Sequence, residues 1–380
     1  MTTRSYGIYV HFPWCTFRCP YCDFAVTTER PVPSARYART VVEEIRMRAP
    51  AFRGQRCATL YLGGGTPSLW EPEDVARVVA AARDLGLPGG AEVTLEANPE
   101  SVDPGRARAW RRAGVNRVSV GAQSFDAAVL RKLGRRHGPE DADRALRAAA
   151  RAIPRVAVDL LYGGRRSSAA TARADAERVA SLPVTHVSAY ALTLDAEVLA
   201  EDVPFARLAR RGRLEFPGEE EVLAQGEAIR EVLERAGLRR YEVSNFARPG
   251  FESRHNLLYW RSASYLGAGA GAVGCLHLEE GGALRWTNHR GVAEWFAAVE
   301  AGRTPAAAEE LLSPLQVRNE RLMLALRTAE GLDAAALAPE QAAALEGMVR
   351  GGLAARSRGR VVLTARGLDL HSAVAARLFE

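Results

Sequence analysis

A chain of 380 residues exceeds what one hydrophobic core usually holds, so two or three domains are expected. Its 47% hydrophobic and 25% charged residues are ordinary globular composition, and no apolar run reaches the roughly 18 residues of a membrane span. The net charge of +6 would suit a nucleic-acid partner, but Lys132 is the one lysine and the arginines are scattered without a dense basic block, which argues against that class.

In chain order, residues 7–12 form an apolar strand, and 34–47 a helix with Ser34 as its N-cap. Residues 58–62 make a short strand running into Gly63-Gly64-Gly65-Thr66-Pro67, followed by a helix over 72–85. The alternating stretch 92–96 ends at Asn98-Pro99, and a helix covers 105–113. A fourth strand over 115–120 ends at Gly121-Ala122-Gln123-Ser124; helices near 126–133 and 139–152 precede a fifth strand over 155–161. A helix near 168–181 and a sixth strand over 185–190 complete the series.

Strand and helix thus alternate six times, at about 30 residues per unit, the spacing of βαβ units in a parallel sheet. The loop after the first strand, the triple glycine, Glu96, Gln123 and Asp159 all fall at or just beyond strand carboxyl ends. That end carries the chemistry in (β/α) barrels. Polar residues from five strands fit a barrel better than one crevice in an open sheet, and six units are too few for eight-stranded closure. The expected fold class is therefore α/β, with a partial (β/α)6 barrel over residues 1–192.

The loop itself reads Cys15-Thr-Phe-Arg-Cys19-Pro-Tyr-Cys22. Three clustered thiols in a long chain of five cysteines resemble a ligand set rather than a disulfide framework, and a reducing cytoplasm is the expected setting. The first strand starts close to Met1, leaving no room for a signal peptide. A four-iron cube usually takes four cysteines, so three leave one iron open to another ligand. A zinc site of Cys3His type, with His11 as the fourth ligand, is the alternative.

These features resemble the radical S-adenosylmethionine (SAM) family. The matching motifs are the Cys-x3-Cys-x2-Cys loop, Gly63-Gly-Gly-Thr-Pro67, Tyr9-Val-His-Phe-Pro13, Gly121-Ala-Gln-Ser-Phe125, Leu133-Gly-Arg-Arg-His137 and Val158-Asp-Leu-Leu-Tyr-Gly163. Further on, His186-Val-Ser-Ala-Tyr190, Tyr241-Glu-Val-Ser-Asn-Phe246 and His255-Asn-Leu-Leu-Tyr-Trp260 resemble the branch of oxygen-independent coproporphyrinogen III oxidase, most closely its haem-chaperone group, HemW.

The resemblance implies that Cys15, Cys19 and Cys22 hold a [4Fe–4S] cluster whose fourth iron is chelated by SAM. It implies SAM contacts at Tyr9, Tyr21, Gly64, Gly65, Thr66, Glu96, Gln123, Arg135 and Asp159. Arg135 suits a carboxylate, which a guanidinium grips in a fork. His255 is the implied haem ligand, with Tyr259 and Trp260 available to stack on a porphyrin and Arg254 or Arg261 to meet a propionate. His186, His277, His289 and His371 carry no assigned role, and Cys57 and Cys275 are expected to be buried packing residues.

Beyond residue 192 the alternation stops. Residues 193–303 read as an elongated extension with a helix near 218–236, a strand at 240–243 and a helix near 291–300. Arg303-Thr-Pro-Ala306 marks a linker into a module over 304–380, whose helices and small hairpin resemble a winged helix. Residues 306–380 hold nine arginines and nine acidic residues, too balanced for phosphate-driven DNA binding. A cluster- and SAM-binding haem chaperone with an acceptor protein as partner is the first reading. An electron donor and peripheral contact with a membrane-bound acceptor are compatible with it. Coproporphyrinogen III oxidase and a zinc-stabilised regulatory protein are the alternatives. The oxidase branch carries a further cysteine two residues past the third ligand, where this chain has Phe24, and a longer segment before the cluster than the 14 residues preceding Cys15. Gly163-Gly-Arg-Arg-Ser167 departs from the branch's Leu-Pro-Gly continuation, which leaves the contacts of that loop open.

Overall fold

The computed structural model describes residues 4–192, 203–214, 216–357 and 359–379. Six parallel strands come first and lie side by side in chain order: β1 (Ser5–Phe12), β2 (Arg56–Gly64), β3 (Glu92–Ala97), β4 (Arg117–Gln123), β5 (Arg155–Tyr162) and β6 (His186–Ala191). Helices α1 (Ser34–Arg48), α2 (Pro72–Asp84), α3 (Pro104–Arg112), α4 (Ala127–Lys132), α5 (Pro139–Ala150) and α6 (Ala169–Ala180) connect them. This is the expected partial barrel.

Its alternation has a physical reading. Ile8, Val10, Phe12, Leu60, Leu62, Val93, Leu95, Val118, Val120, Val156 and Val158 are buried against the helices. The intervening Tyr9, His11, Thr59, Tyr61, Thr94, Glu96, Ser119 and Asp159 occupy the opposite face, because successive strand side chains point to opposite sides. Register brings these polar residues level: Tyr9 lies beside Tyr61, Tyr61 beside Thr94, Glu96 beside Ser119 and Asp159 beside Ser188. A polar bore leaves room for a ligand, where a barrel filled with branched side chains would not.

The extension adds α7 (Pro204–Arg210), α8 (Glu219–Arg235), β7 (Arg239–Arg240), β8 (Asn245–Ala247), α9 (Arg254–Trp260), β9 (Ser264–Ala268), β10 (Val273–His277), β11 (Ala283–Asn288), α10 (Val292–Glu300) and β12 (Ala306–Leu312). Residues 193–202, the start of the expected extension, lie outside the described residues. The remainder feeds both edges of the sheet: β8 pairs antiparallel with β6, and β9 pairs parallel with β1. Residues 303–306, expected as a linker, lead instead into β12, which pairs with β11, so the break in the sheet comes after Leu312. Strands β9 and β10 escape a reading by propensity because each is only five residues long and carries a glycine. Gly274 is there for contact: a Cβ on it would stand 2.0 Å from the Trp286 ring.

Aromatic packing anchors the cysteine loop to this scaffold. Trp14, next to Cys15, meets Phe12 at 5.2 Å and Tyr37 of α1 at 4.8 Å between ring centres. Such pairs contribute about 0.5–1.5 kcal/mol each beyond burial. Glu44 of α1 is buried and accepts hydrogen bonds from Gly269 N–H, Asn288 Nδ2 and Trp295 Nε1, tying α1 to the added strands. Ser34, expected as an N-cap, caps nothing; Pro33 holds that position, and Ser34 Oγ donates to Asp74 Oδ2 at 2.6 Å, joining α1 to α2.

The last part of the chain holds α11 (Pro314–Leu326), β13 (Leu332–Asp333), α12 (Pro339–Arg350), β14 (Ala354–Ser357), β15 (Arg360–Leu363), α13 (Ala365–Asp369) and α14 (His371–Arg377). Ser313 caps α11, accepting from Gln316 N–H. The three strands form their own antiparallel sheet, and Leu322, Leu326, Leu345, Val361 and Val374 form a separate core. Arg327 pairs with the fully buried Glu242, and Arg240 with Asp369, which fasten this unit to the extension.

Candidate functional site

The cysteine loop is pinned at both ends by backbone bonds. Thr27 N–H donates to Pro13 O and Cys15 N–H to Thr27 O, each at 2.9 Å, while Cys22 N–H donates to Cys19 O at 3.1 Å. All three thiols are free, half-buried and line one cavity of about 330 Å³ at the carboxyl ends of the barrel strands. Thr66 Oγ1 donates to Cys15 Sγ at 3.4 Å, and Arg135 Nη1 to Cys19 Sγ at 3.5 Å. Burial pushes the Cys15 thiol up to about 11 and raises Cys22 as well. Iron would reverse this, since a metal binds the thiolate and expels the proton.

Tyr21, Gly64, Gly65, Thr66, Glu96, Gln123, Arg135 and Asp159 line the same cavity. Glu96 accepts from Tyr61 OH at 2.6 Å and from Gly64 N–H at 3.0 Å. Burial, then the neighbouring Asp159 charge, raises its carboxyl to about 7, against the hydrogen bonds from Tyr61 and Gly64. Gly64 sits at φ 111°, with its Cβ direction aimed at the His11 ring 2.6 Å away, so only glycine fits. Gln123 holds φ 68° at a register shift in β4, a local strain that redirects its side chain at the cavity rim. Arg135 also donates to Asn98 Oδ1 and Gly121 O, both at 3.0 Å, and its buried Nε has no hydrogen-bond partner among the described residues. Burial works against its charge, but Tyr21, Cys19 and Glu100 outweigh it. Asp159 accepts from Ser119 Oγ at 2.9 Å, and burial raises its carboxyl.

The donor set fits a cube bound by three thiolates with space for a ligand carrying an amine and a carboxylate. It does not fit zinc with His11. That ring's Nε2 contacts Ala25 O at 2.8 Å and its Nδ1 contacts Tyr9 OH at 3.0 Å, so neither nitrogen is left for a metal. Among the described residues no three His, Cys, Asp or Glu side chains converge on one ion. A cube needs no such convergence, because each thiolate takes its own iron.

Two expected residues lie elsewhere. Tyr9 does not line this cavity; it is bonded to His11 and stacked on Tyr61 at 6.1 Å. His255 lies in α9 and lines a smaller, adjoining cavity with Tyr9, Tyr259 and Trp260, which shares Tyr61, Tyr190 and Asn256 with the thiol cavity. Its ring is buried, Nδ1 against Thr59 Oγ1 at 2.7 Å and Nε2 against Tyr259 OH at 2.9 Å. Glu92 accepts the N–H groups of Arg254 and His255, plugging the start of α9 into the barrel floor. Asn98, Arg117, Ser119, Ser188, Tyr190 and Asn256 also line the thiol cavity and were not foreseen. The alternation of Arg117, Ser119 and Gly121 along β4, and of Ser188 and Tyr190 along β6, is the sequence signal available for four of them.

The model of the radical SAM superfamily matches residues 9–179. The chain is 36% identical to a protein named heme chaperone HemW of Mycobacterium tuberculosis, over the whole of this chain and 96% of that protein. It is 35% identical to heme chaperone HemW of Escherichia coli, over 75% of this chain and 74% of that one. Among solved structures, coproporphyrinogen III oxidase HemN of Escherichia coli superposes with a TM-score of 0.80 at 20% identity, covering 99% of this chain and 90% of that one, which establishes the shared fold. A radical SAM domain implies a [4Fe–4S] cluster and SAM, the groups that the thiol cavity fits. The chain belongs to the HemW family within the radical SAM superfamily.

Proposed function

We propose that this chain is a haem chaperone: it binds a [4Fe–4S] cluster and SAM at the barrel mouth, carries haem, and hands it to an acceptor protein in the cytoplasm. The carrying observation is the relationship along the whole chain to proteins named as heme chaperones. Phe24 separates this reading from coproporphyrinogen oxidation: where the oxidase branch has a further cysteine, this side chain is 60% exposed on the wall of the thiol cavity.

A cluster bound at three thiolates supplies an electron and an open iron. The chain's own residues do the rest. Cys15, Cys19 and Cys22 would hold it, and Thr66 directs its O–H, and Arg135 an N–H, at the sulfurs, stabilising negative charge. Glu96 offers an acceptor to an ammonium, and Arg135, Gln123 and Asp159 offer polar groups to the rest of SAM. His255, as a haem ligand, would first have to give up Tyr259 or Thr59; as placed, it pins α9 to the barrel floor. Among the described residues no helix is long and apolar enough to cross a membrane.

Anaerobic reconstitution followed by incubation with coproporphyrinogen III, SAM and a reductant tests the reading. The expected result is a four-iron protein that takes up added haemin and leaves the porphyrinogen unchanged. Conversion to protoporphyrinogen IX would overturn the chaperone reading in favour of the oxidase.

A further inference from the structure

A cleft of about 670 Å³ opens between α8, the residues around β7 and β8, and the corner joining α13 to α14. It contains none of the residues assigned to the cluster, SAM or the His255 segment. Tyr190 and Leu223 are 41% and 42% exposed, and both line it. Tyr190 lines the thiol cavity as well, so it forms a shared wall between the two spaces.

The rest of the lining has a definite chemistry. Arg240 and Arg327 present guanidinium groups, and His371 stands at the start of α14. Arg240 holds Asp369 through Nη1 and Val243 O through Nε and Nη2, and Arg327 holds the buried Glu242; a guanidinium has five donors, so each can take a further acid beside the Asp369 and Glu219 carboxylates that also line the cleft. His371 is half-buried, with Nε2 at 3.3 Å from Met323 O. A ring oriented by a backbone carbonyl through one nitrogen presents the other to a metal. Aromatic and aliphatic walls, two cations and an oriented imidazole suit a planar, apolar macrocycle that carries carboxylates and an iron. His255, in contrast, has both nitrogens engaged and faces a cavity of about 270 Å³, less than half as large.

Resting on the haem reading above, we propose that haem occupies this cleft, with His371 as an axial ligand, Arg240 and Arg327 facing its propionates, and Tyr190 between it and the SAM site.

The test is haemin titration of the full chain, followed at the Soret band, for wild type, His371→Ala and Leu223→Glu. Wild type is expected to bind with a ligated spectrum. His371→Ala should shift the Soret maximum and weaken binding about tenfold, with free imidazole restoring the wild-type spectrum, a rescue that a merely structural histidine would not show. Leu223→Glu, at an exposed site, should weaken binding about fivefold without changing the circular dichroism. A wild-type spectrum and affinity in both variants would overturn the cleft assignment while leaving the haem reading intact. Failure of the wild type itself to bind haemin would overturn the haem reading as well.

Discussion

The hydroxyl of Tyr259 lies 2.9 Å from Nε2 of His255, one turn away on the same short helix, while Thr59 of the barrel holds Nδ1 at 2.7 Å. Burial, then the nearby Arg117 charge, drives this imidazole down to about 3, so it is neutral and needs one donor and one acceptor. Removing the phenol leaves a buried ring nitrogen unpaired. Tyr259→Phe is expected to destabilise the fold by about 1–3 kcal/mol in urea denaturation. An unshifted midpoint would show that the pair contributes nothing to the barrel floor.

The three thiols act as one set. Replacing Cys15, Cys19 or Cys22 singly by Ala should leave the chain folded but abolish its four-iron, four-sulfide content after anaerobic reconstitution. Iron and sulfide analysis decides this, and full cluster content in any of the three variants would contradict the ligand assignment. The same replacement at Cys57, buried away from the loop, should leave cluster content unchanged.

Glu96 carries a pH signature. Its native carboxyl titrates at about 7 against an ordinary 4.5, chiefly through burial, so the folded state retains a proton that the unfolded chain releases. Its stabilising contribution is complete below pH 4.5 and is lost as the pH rises to about 7, on the order of 3 kcal/mol over that window. Glu96→Gln cannot ionise, so the cluster-free protein's stability should fall less steeply across the same window. Parallel stability curves for the two proteins would refute the assignment.

Gly64 combines a left-handed backbone with a Cβ direction blocked by His11. Gly64→Ala should therefore cost about 1–3 kcal/mol and misplace the N–H that Glu96 accepts. Thermal denaturation together with SAM binding by calorimetry measures both effects. Wild-type behaviour in both would mean that β2 ends more flexibly than the packing indicates.

The six strand–helix units, the cysteine loop and most of the cavity lining were legible in the sequence because they rest on local signals. Alternation with period two separates Val118 and Val120, which pack outward, from Ser119, which faces the bore, and strand ends place Glu96 and Asp159 at the mouth. Residues on one loop, such as Cys15, Cys19 and Cys22, need no distant partner to be recognised as a set. Tertiary structure alone decided what depends on contacts far apart in the chain. Thr59 and His255 are separated by 196 positions, and their bond turns a motif histidine into part of the barrel floor. The His11 ring is consumed by Tyr9 and Ala25 and so leaves the metal set. β9 and β10, each interrupted by a glycine, become strands because β1 and Trp286 offer partners that only close packing can use. His371, without a motif around it, gains its setting only when α14 folds back toward Tyr190 and Arg240. Period and spacing are properties of neighbours along the chain; a free nitrogen or an open cleft is settled by which distant side chains reach it first.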